Sequence, residues 1–360
     1  MYTTLMYNPK SIKSNSEIGS PHIDCNNEGD MLQMDNKTVS LKENWKEGLL
    51  YLFPPLLRET LSNIEELPIE EIRIRTGQPV QLCFCGSERL LYPPANQTLV
   101  SAEDCAAIVE RACEHSVYAW QEELRNGFLT LSGGHRVGLC GKAVKDNAGI
   151  RTLTDITSLN IRIARACPGA ADALIPKLVR NDGSAYPTLI ISPPGCGKTT
   201  VLRDLIRQLS WGLNGSRPMR IAVIDERMEL AGCVRGVAQH DLGPRTDILN
   251  GCTKPEGIRM AVRTLSPEVL ATDELGSHED ALAIQEAAFC GVITIASAHV
   301  TEPTLLFKRR VLFGLLESGA LERVVLLGRH NGKAGHVLGI FDGTLNKLTD
   351  REGGVLCFER

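Results

Sequence analysis

Residues 186–200, Tyr-Pro-Thr-Leu-Ile-Ile-Ser-Pro-Pro-Gly-Cys-Gly-Lys-Thr-Thr, constrain this chain more than any other stretch. Leu189, Ile190 and Ile191 form an apolar run of strand type that enters a Gly/Pro-rich turn. The chain leaves the turn through Lys198, Thr199 and Thr200 into a segment with Val201, Leu202, Leu205, Ile206 and Leu209 at helical spacing. Strand, glycine-rich loop and helix in this order are the context a phosphate-binding loop requires. Backbone N–H groups at Gly195, Cys196 and Gly197, with the open helix N-terminus behind them, make an anion cradle. Lys198 is expected to reach the β- and γ-phosphates of ATP there, and the Thr199 hydroxyl to ligate Mg²⁺. The pattern Gly-x-x-x-x-Gly-Lys-Ser/Thr fails at its first position, where Ser192 stands. Pro193 and Pro194 follow it, and neither has an N–H to donate. The binding segment is therefore Ser192 to Thr200, with its anion contacts from Gly195 onward.

At 360 residues the chain is long enough for two domains with separate cores. A formal net charge of -4 gives no reason to expect a nucleic-acid partner. The twelve cysteines include a single C-x-C, at Cys83 and Cys85, and no zinc-type cluster, so they read as reduced thiols. No apolar run approaches the ~20 residues of a membrane span. Nor does the amino terminus have a basic region followed by an apolar one. A cytosolic protein that docks on a membrane complex remains compatible with both observations.

Residues 1–44 are rich in Asn, Ser, Asp and Lys and read as a disordered tail. Residues 45–167 are expected to form an α+β domain. It would hold a helix over 45–62 interrupted at Pro54-Pro55, strands over 70–75, 80–84, 128–144 and 158–165, and a helix capped by Ser101. A further helix is expected over 118–124, and Gly133-Gly134 is a hairpin signal. Residues 168–360 open with an expected helix over 168–179 and then alternate strand and helix. After the phosphate loop, strands over 221–224, 269–272, 292–296 and 324–327 alternate with helices over 255–265, 277–289 and 303–316. Segments 336–341 and 355–358 read as antiparallel edge strands. The fold class is α/β, a P-loop NTPase domain with a RecA/AAA-like parallel sheet, preceded by a smaller α+β domain.

Ligands in an open α/β sheet gather at the carboxyl ends of the strands. Three strands besides the one feeding the phosphate loop end in polar groups: Asp225 and Glu226 with Glu229, Asp273 and Glu274, and Ser297 with His299. Cleaving a phosphoanhydride needs Mg²⁺, a carboxylate to activate water and a sensor for the γ-phosphate. Residues 269–274, Val-Leu-Ala-Thr-Asp-Glu, fit a Walker B segment in which Asp273 serves Mg²⁺ through a ligating water. Glu274 and Glu226 are equal candidates for the base, and His299 for the phosphate sensor. Should the chain form a ring, an arginine must complete a neighbour's site, and Arg263 and Arg162 are the candidates.

These motifs together resemble the stage III sporulation protein AA family. The resemblance is carried by Ser192–Thr200 and by residues 224–233, Ile-Asp-Glu-Arg-Met-Glu-Leu-Ala-Gly-Cys. It extends to residues 243–247, 266–268 and 273–276, to Ala298-His299, and to segments 71–75, 133–138 and 160–165. It covers roughly residues 45–345 and leaves out the tail. What it implies is a cytosolic ATPase of endospore-forming bacteria, similar to the hexameric ATPases of type II and type IV secretion systems. Such a protein energises a channel between mother cell and forespore from the mother-cell side. Its implied partners are membrane-embedded sporulation channel proteins and further copies of itself, as a homo-oligomer of hexamer type, with no nucleic acid. In the wider superfamily the segment here containing Asp225, Glu226 and Glu229, and that containing His299, line the nucleotide site. Two other readings are a nucleic-acid-dependent P-loop ATPase, opposed by the charge balance and by the lack of aromatic–basic clusters, and a nucleotide-gated scaffold with little turnover.

Overall fold

Period-two alternation builds one sheet of this protein, and continuous apolar runs build the other. The structure is a computed structural model that describes residues 45–348 apart from 66, 68, 85–86, 94–98, 115–119, 147–148 and 331–332. The expected tail and the 355–358 strand lie outside the described residues.

The first sheet comprises β1 (Glu71–Arg75), β2 (Val80–Phe84), β3 (Ser87–Leu91), β4 (Phe128–Thr130), β5 (Arg136–Asp146) and β6 (Gly149–Arg162). Its order is β3-β2-β1-β6-β5-β4, with every neighbour antiparallel. In β1 the buried Ile72 and Ile74 alternate with half-buried Glu71, Arg73 and Arg75, as one-sided burial demands. Against that buried face pack α1 (Trp45–Leu49), α2 (Pro55–Ser62), α3 (Ala102–Ala112) and α4 (Gln121–Asn126), with Leu49, Phe53, Leu61 and Ile108 in one core with Ile72, Ile74 and Ile161. Ser101 starts α3 through a reciprocal capping box with Asp104.

The second sheet comprises β7 (Thr188–Ser192), β8 (Ile221–Asp225), β9 (Thr246–Asn250), β10 (Val269–Thr272), β11 (Ile293–His299), β12 (Arg323–His330) and β13 (Lys333–Asp342). Its order is β13-β12-β7-β11-β10-β8-β9, parallel from β12 to β9 with only β13 reversed. Every residue of β7, β8 and β10 is buried, which is why these strands read as unbroken apolar runs. Helices cover both faces. On one, Val201, Leu202 and Leu205 of α6 (Lys198–Trp211) meet Ile190, Val223 and Ala271. On the other, α7 (Lys254–Thr264), α8 (His278–Phe289) and α9 (Arg310–Glu317) pack on Leu189, Ile191 and Leu270.

Two helices are shorter than their spacing predicts. Of the segment 168–179 only α5 (Ile175–Leu178) is helical, because Gly169 takes φ +89° and the chain turns before Pro176 re-enters a helix. The segment 303–316 is a 3₁₀ run, Pro303–Lys308, broken at Arg309 (φ −99°, ψ 77°) before α9. Two edge strands escaped the reading: β3, which is mostly exposed, and β9, which is half-buried along most of its length. No helix among the described residues is long and apolar enough to cross a membrane.

Candidate nucleotide site

The loop between β7 and α6 has the shape its sequence dictates. Gly195 and Gly197 take φ +69° and +78°, the left-handed region where glycine has no steric cost. Ser192 is the last residue of β7 and has no positive φ, so the missing glycine of the pattern is not needed there. Its hydroxyl instead accepts a hydrogen bond from Lys198 Nζ at 3.2 Å. The β12–β13 hairpin backs the loop: Arg329 Nη2 donates to the Gly195 carbonyl at 2.8 Å, and Gly335 N to the Cys196 carbonyl at 3.1 Å.

Parallel pairing sets His299 of β11 directly beside Ser192 of β7. Lys198 Nζ lies 2.9 Å from His299 Nδ1. An ammonium only donates, so Nδ1 accepts and the ring proton sits on Nε2. Nε2 faces Glu274 Oε1, and the other oxygen of that carboxylate pairs with Arg227 Nη1. A continuous chain therefore runs from Lys198 through His299 and Glu274 to Arg227. Glu274 is held at φ +30°, a strained value for a side-chain-bearing residue, and its N–H donates to Ser297 Oγ at 3.1 Å. Burial lowers the pKa of the Lys198 ammonium, and the negative charge of Glu274 works against that.

The strand-end carboxylates separate into different tasks. Asp225 is fully buried, and its two oxygens accept from the N–H groups of Glu229, Leu230 and Ala231 at 2.8, 3.1 and 2.8 Å. It folds the loop after β8 and offers nothing outward. Glu226 points to Lys254, whose Nζ donates to Oε2 at 2.5 Å. Asp273 is 3% exposed, and its Oδ1 has no hydrogen-bond partner, with Lys254 Nζ at 3.6 Å. Burial raises the Asp273 carboxyl to about 6, against the pull of Lys254, with Asp225, Glu229 and Glu274 adding to the rise. Burial alone would discharge Lys254, but the Glu226 hydrogen bond and the charges of Asp273, Glu226 and Asp280 outweigh it and raise its pKa. The donor set fits Mg²⁺: an orphaned buried carboxylate oxygen on Asp273 and the Thr199 hydroxyl on the first turn of α6, with phosphates and waters to complete it.

A cleft of about 690 Å³ opens beside the loop, lined by Gly197, Thr199 and Thr200 on one side and by Arg136, Arg162 and Arg165 on the other. Glu226, Asp273, Glu274 and His299 do not line it; His299 meets the loop through Lys198 and Glu274 through His299, while Glu226 and Asp273 face Lys254. The two sheets close around this cleft. Arg136 Nη1 of β5 reaches Glu229 Oε1 at 2.7 Å, and Arg203 of α6 donates to the Glu229 and Leu230 carbonyls at 2.8 and 2.9 Å. Gly133 N donates to Gln239 Oε1 at 3.0 Å, and His240 packs so closely on Gly134 that a Cβ there would lie 2.5 Å from its ring. Of the two arginines proposed to act between subunits, Arg162 lines the cleft and pairs with Glu71 at 3.2 Å. Arg263 stands apart, bonded to the Arg259 carbonyl of its own helix.

Lys254 and Arg329 are the site residues that sequence reasoning missed. For Lys254 a signal existed: it is the first residue of α7, where a cation opposes the helix dipole and needs acidic neighbours. Arg329 has none, since only the parallel pairing of β12 with β7 brings it to the loop.

Comparison with known proteins agrees with this geometry. Residues 44–348 match the family described as Sporulation stage III, protein AA. Stage III sporulation protein AA of Bacillus subtilis (strain 168) is 42% identical over 308 residues, which cover 85% of this chain and 95% of that protein. Among solved structures, the pilus retraction motor PilT with bound ADP aligns at TM-score 0.50 and 15% identity, over 76% of each chain. The Yersinia pseudotuberculosis ATPase DotB aligns at TM-score 0.50 and 14% identity, again over 76% of each chain. At such identity these two likenesses speak for a shared fold and for nothing finer.

Proposed function

The chain belongs to the Sporulation stage III, protein AA family, and we propose that it binds and hydrolyses Mg-ATP at the Ser192–Thr200 loop. The observation that carries this is the hydrogen-bonded chain Lys198–His299–Glu274, which joins the phosphate loop across β11 to a carboxylate at the end of β10. Gly195, Cys196 and Gly197 cradle the phosphates with backbone N–H groups, and Lys198 neutralises the β- and γ-phosphate oxygens. Mg²⁺, when bound through Thr199 and Asp273, neutralises the remaining phosphate charge. As γ-phosphate takes the Lys198 hydrogen bond, His299 loses its donor and is free to reorient, which reports nucleotide at Glu274. Glu274, released from Arg227, then accepts the proton of the water that attacks the γ-phosphorus, and ADP departs with the bonding electrons.

Residues 45–167 serve as the smaller domain over this site, and residues 168–360 as the ATPase domain. Family membership supports a role for the hydrolysis: driving a mother-cell-to-forespore channel complex by docking, as a homo-oligomer, on membrane-embedded partners from the cytoplasm. The test uses the full chain with labelled ATP. Lys198→Ala is expected to weaken ATP binding about 100-fold, the scale of a lost charge-assisted contact. Unchanged binding in a folded Lys198→Ala protein would remove the site from this loop.

A further inference from the structure

Lys254 has no place in the chemistry described so far, yet it is among the most buried charges in the protein. It is 3% exposed, it opens α7, and its ammonium lies 2.5 Å from Glu226 Oε2 and 3.6 Å from Asp273 Oδ1. Two carboxylates from the ends of β8 and β10 thus share one lysine. The Asp273 contact is an ion pair without a hydrogen bond, and Asp273 Oδ1 has no other partner among the described residues. A buried carboxylate without a hydrogen bond is costly and is satisfied by a better-placed cation. The Glu226 contact is, by comparison, short and complete.

We propose that Lys254 is a resident counter-cation for the Glu226–Asp273 pair, and that a divalent cation arriving with nucleotide displaces it from Asp273 alone. The lysine keeps the two strand ends together before nucleotide binds and prevents the pair from capturing a divalent cation on its own. It acts through Asp273 and Glu226 and is a positioning residue. This inference rests on the Mg-nucleotide reading above.

Two measurements on the full-length protein test it: calorimetric titration with Mg²⁺ alone, and Mg²⁺-dependence of fluorescent ADP binding. Lys254→Met removes the charge and keeps the length. It is expected to bind Mg²⁺ without nucleotide, where the wild type does not, and to reach half-maximal ADP binding at about tenfold lower Mg²⁺. Lys254→Arg, which keeps the charge, is expected to stay near wild type. Should Lys254→Met fail to fold, Lys254→Met with Glu226→Gln leaves Asp273 as the sole carboxylate and is expected to show the same shift. An unchanged Mg²⁺ dependence in whichever variant folds overturns the inference. A wild type that binds no Mg-ADP overturns the nucleotide reading instead, and the calorimetry with Mg²⁺ alone still judges Lys254.

Discussion

Two Asp-Glu pairs follow adjacent parallel strands, one after β8 and one after β10, and the fold uses them in opposite ways. Asp225 turns inward and accepts three backbone N–H groups, so its neighbour Glu226 sits at the base of a loop that the rest of the structure grips. Asp273 has an oxygen with no hydrogen bond, and Glu274 stands in a strained backbone conformation bonded to His299 and Arg227. Left-handed residues occur in both loops, Met228 (φ +54°) after β8 and Glu274 (φ +30°) after β10, but the unmet carboxylate oxygen is at β10 and the fully satisfied carboxylate at β8. Chemistry needs groups that still have bonds to make, so we propose the end of β10 as the reacting end and the end of β8 as the holding end.

The comparison breaks most visibly in turnover. Glu274→Gln keeps the hydrogen-bonding shape but cannot take a proton, and is expected to lower kcat about 10²–10³-fold with ATP affinity retained. Glu226→Gln keeps an acceptor for Lys254 and is expected to cost less than about tenfold. Phosphate release measured beside nucleotide binding decides between them, and the opposite order would assign the base to the end of β8. Little turnover in the wild type itself, with ATP still bound, would point to a nucleotide-gated scaffold.

Stability sharpens the contrast from the other side. Asp225→Ala leaves the N–H groups of Glu229, Leu230 and Ala231 buried without an acceptor and is expected to cost about 3 kcal/mol. Asp273→Ala removes a carboxylate whose charge burial already disfavours, and is expected to cost under about 1 kcal/mol. Urea midpoints read both. Equal losses would mean that the two strand ends are built alike.

Much of this was legible before any coordinates. Glycines at two left-handed positions, an apolar strand and a helical stripe define the phosphate loop locally, and each survives in the structure because nothing tertiary competes with it. The polar ends of β8, β10 and β11 were legible because parallel strands must be apolar until they leave the sheet. The different tasks of Asp225 and Asp273 were not, since the same dipeptide follows both strands and only the path of the next residues decides where each carboxylate points. Nor was the seam between the sheets, because Arg136–Glu229 and Gly133–Gln239 join residues 93 and 106 positions apart. Weak helical signals at 168–179 and 303–316 were cut short by Gly169 and Arg309, where local turns outweighed propensity.

That seam gives the most specific effect. His240 ends the loop that Asp225 anchors and packs on Gly134 of the first sheet. Burial, and then the charges of Arg203 and His135, press its pKa down to about 4. In the unfolded chain an imidazole titrates near about 6.5, so between these values the unfolded state carries a proton that the folded state does not. Stability is therefore full above about pH 6.5 and falls as pH drops toward 4. The loss is about 1–3 kcal/mol after discounting for the ring's partial exposure. His240→Gln removes the titration, so its urea midpoint is expected to change less than the wild type's between pH 7 and pH 4.5. His135, shifted the same way by burial, leaves a residual slope in both proteins. If the two proteins lose stability in parallel, His240 is not held neutral at the seam. The seam would then lend nothing to the holding end, which would rest on the Asp225 hydrogen bonds alone.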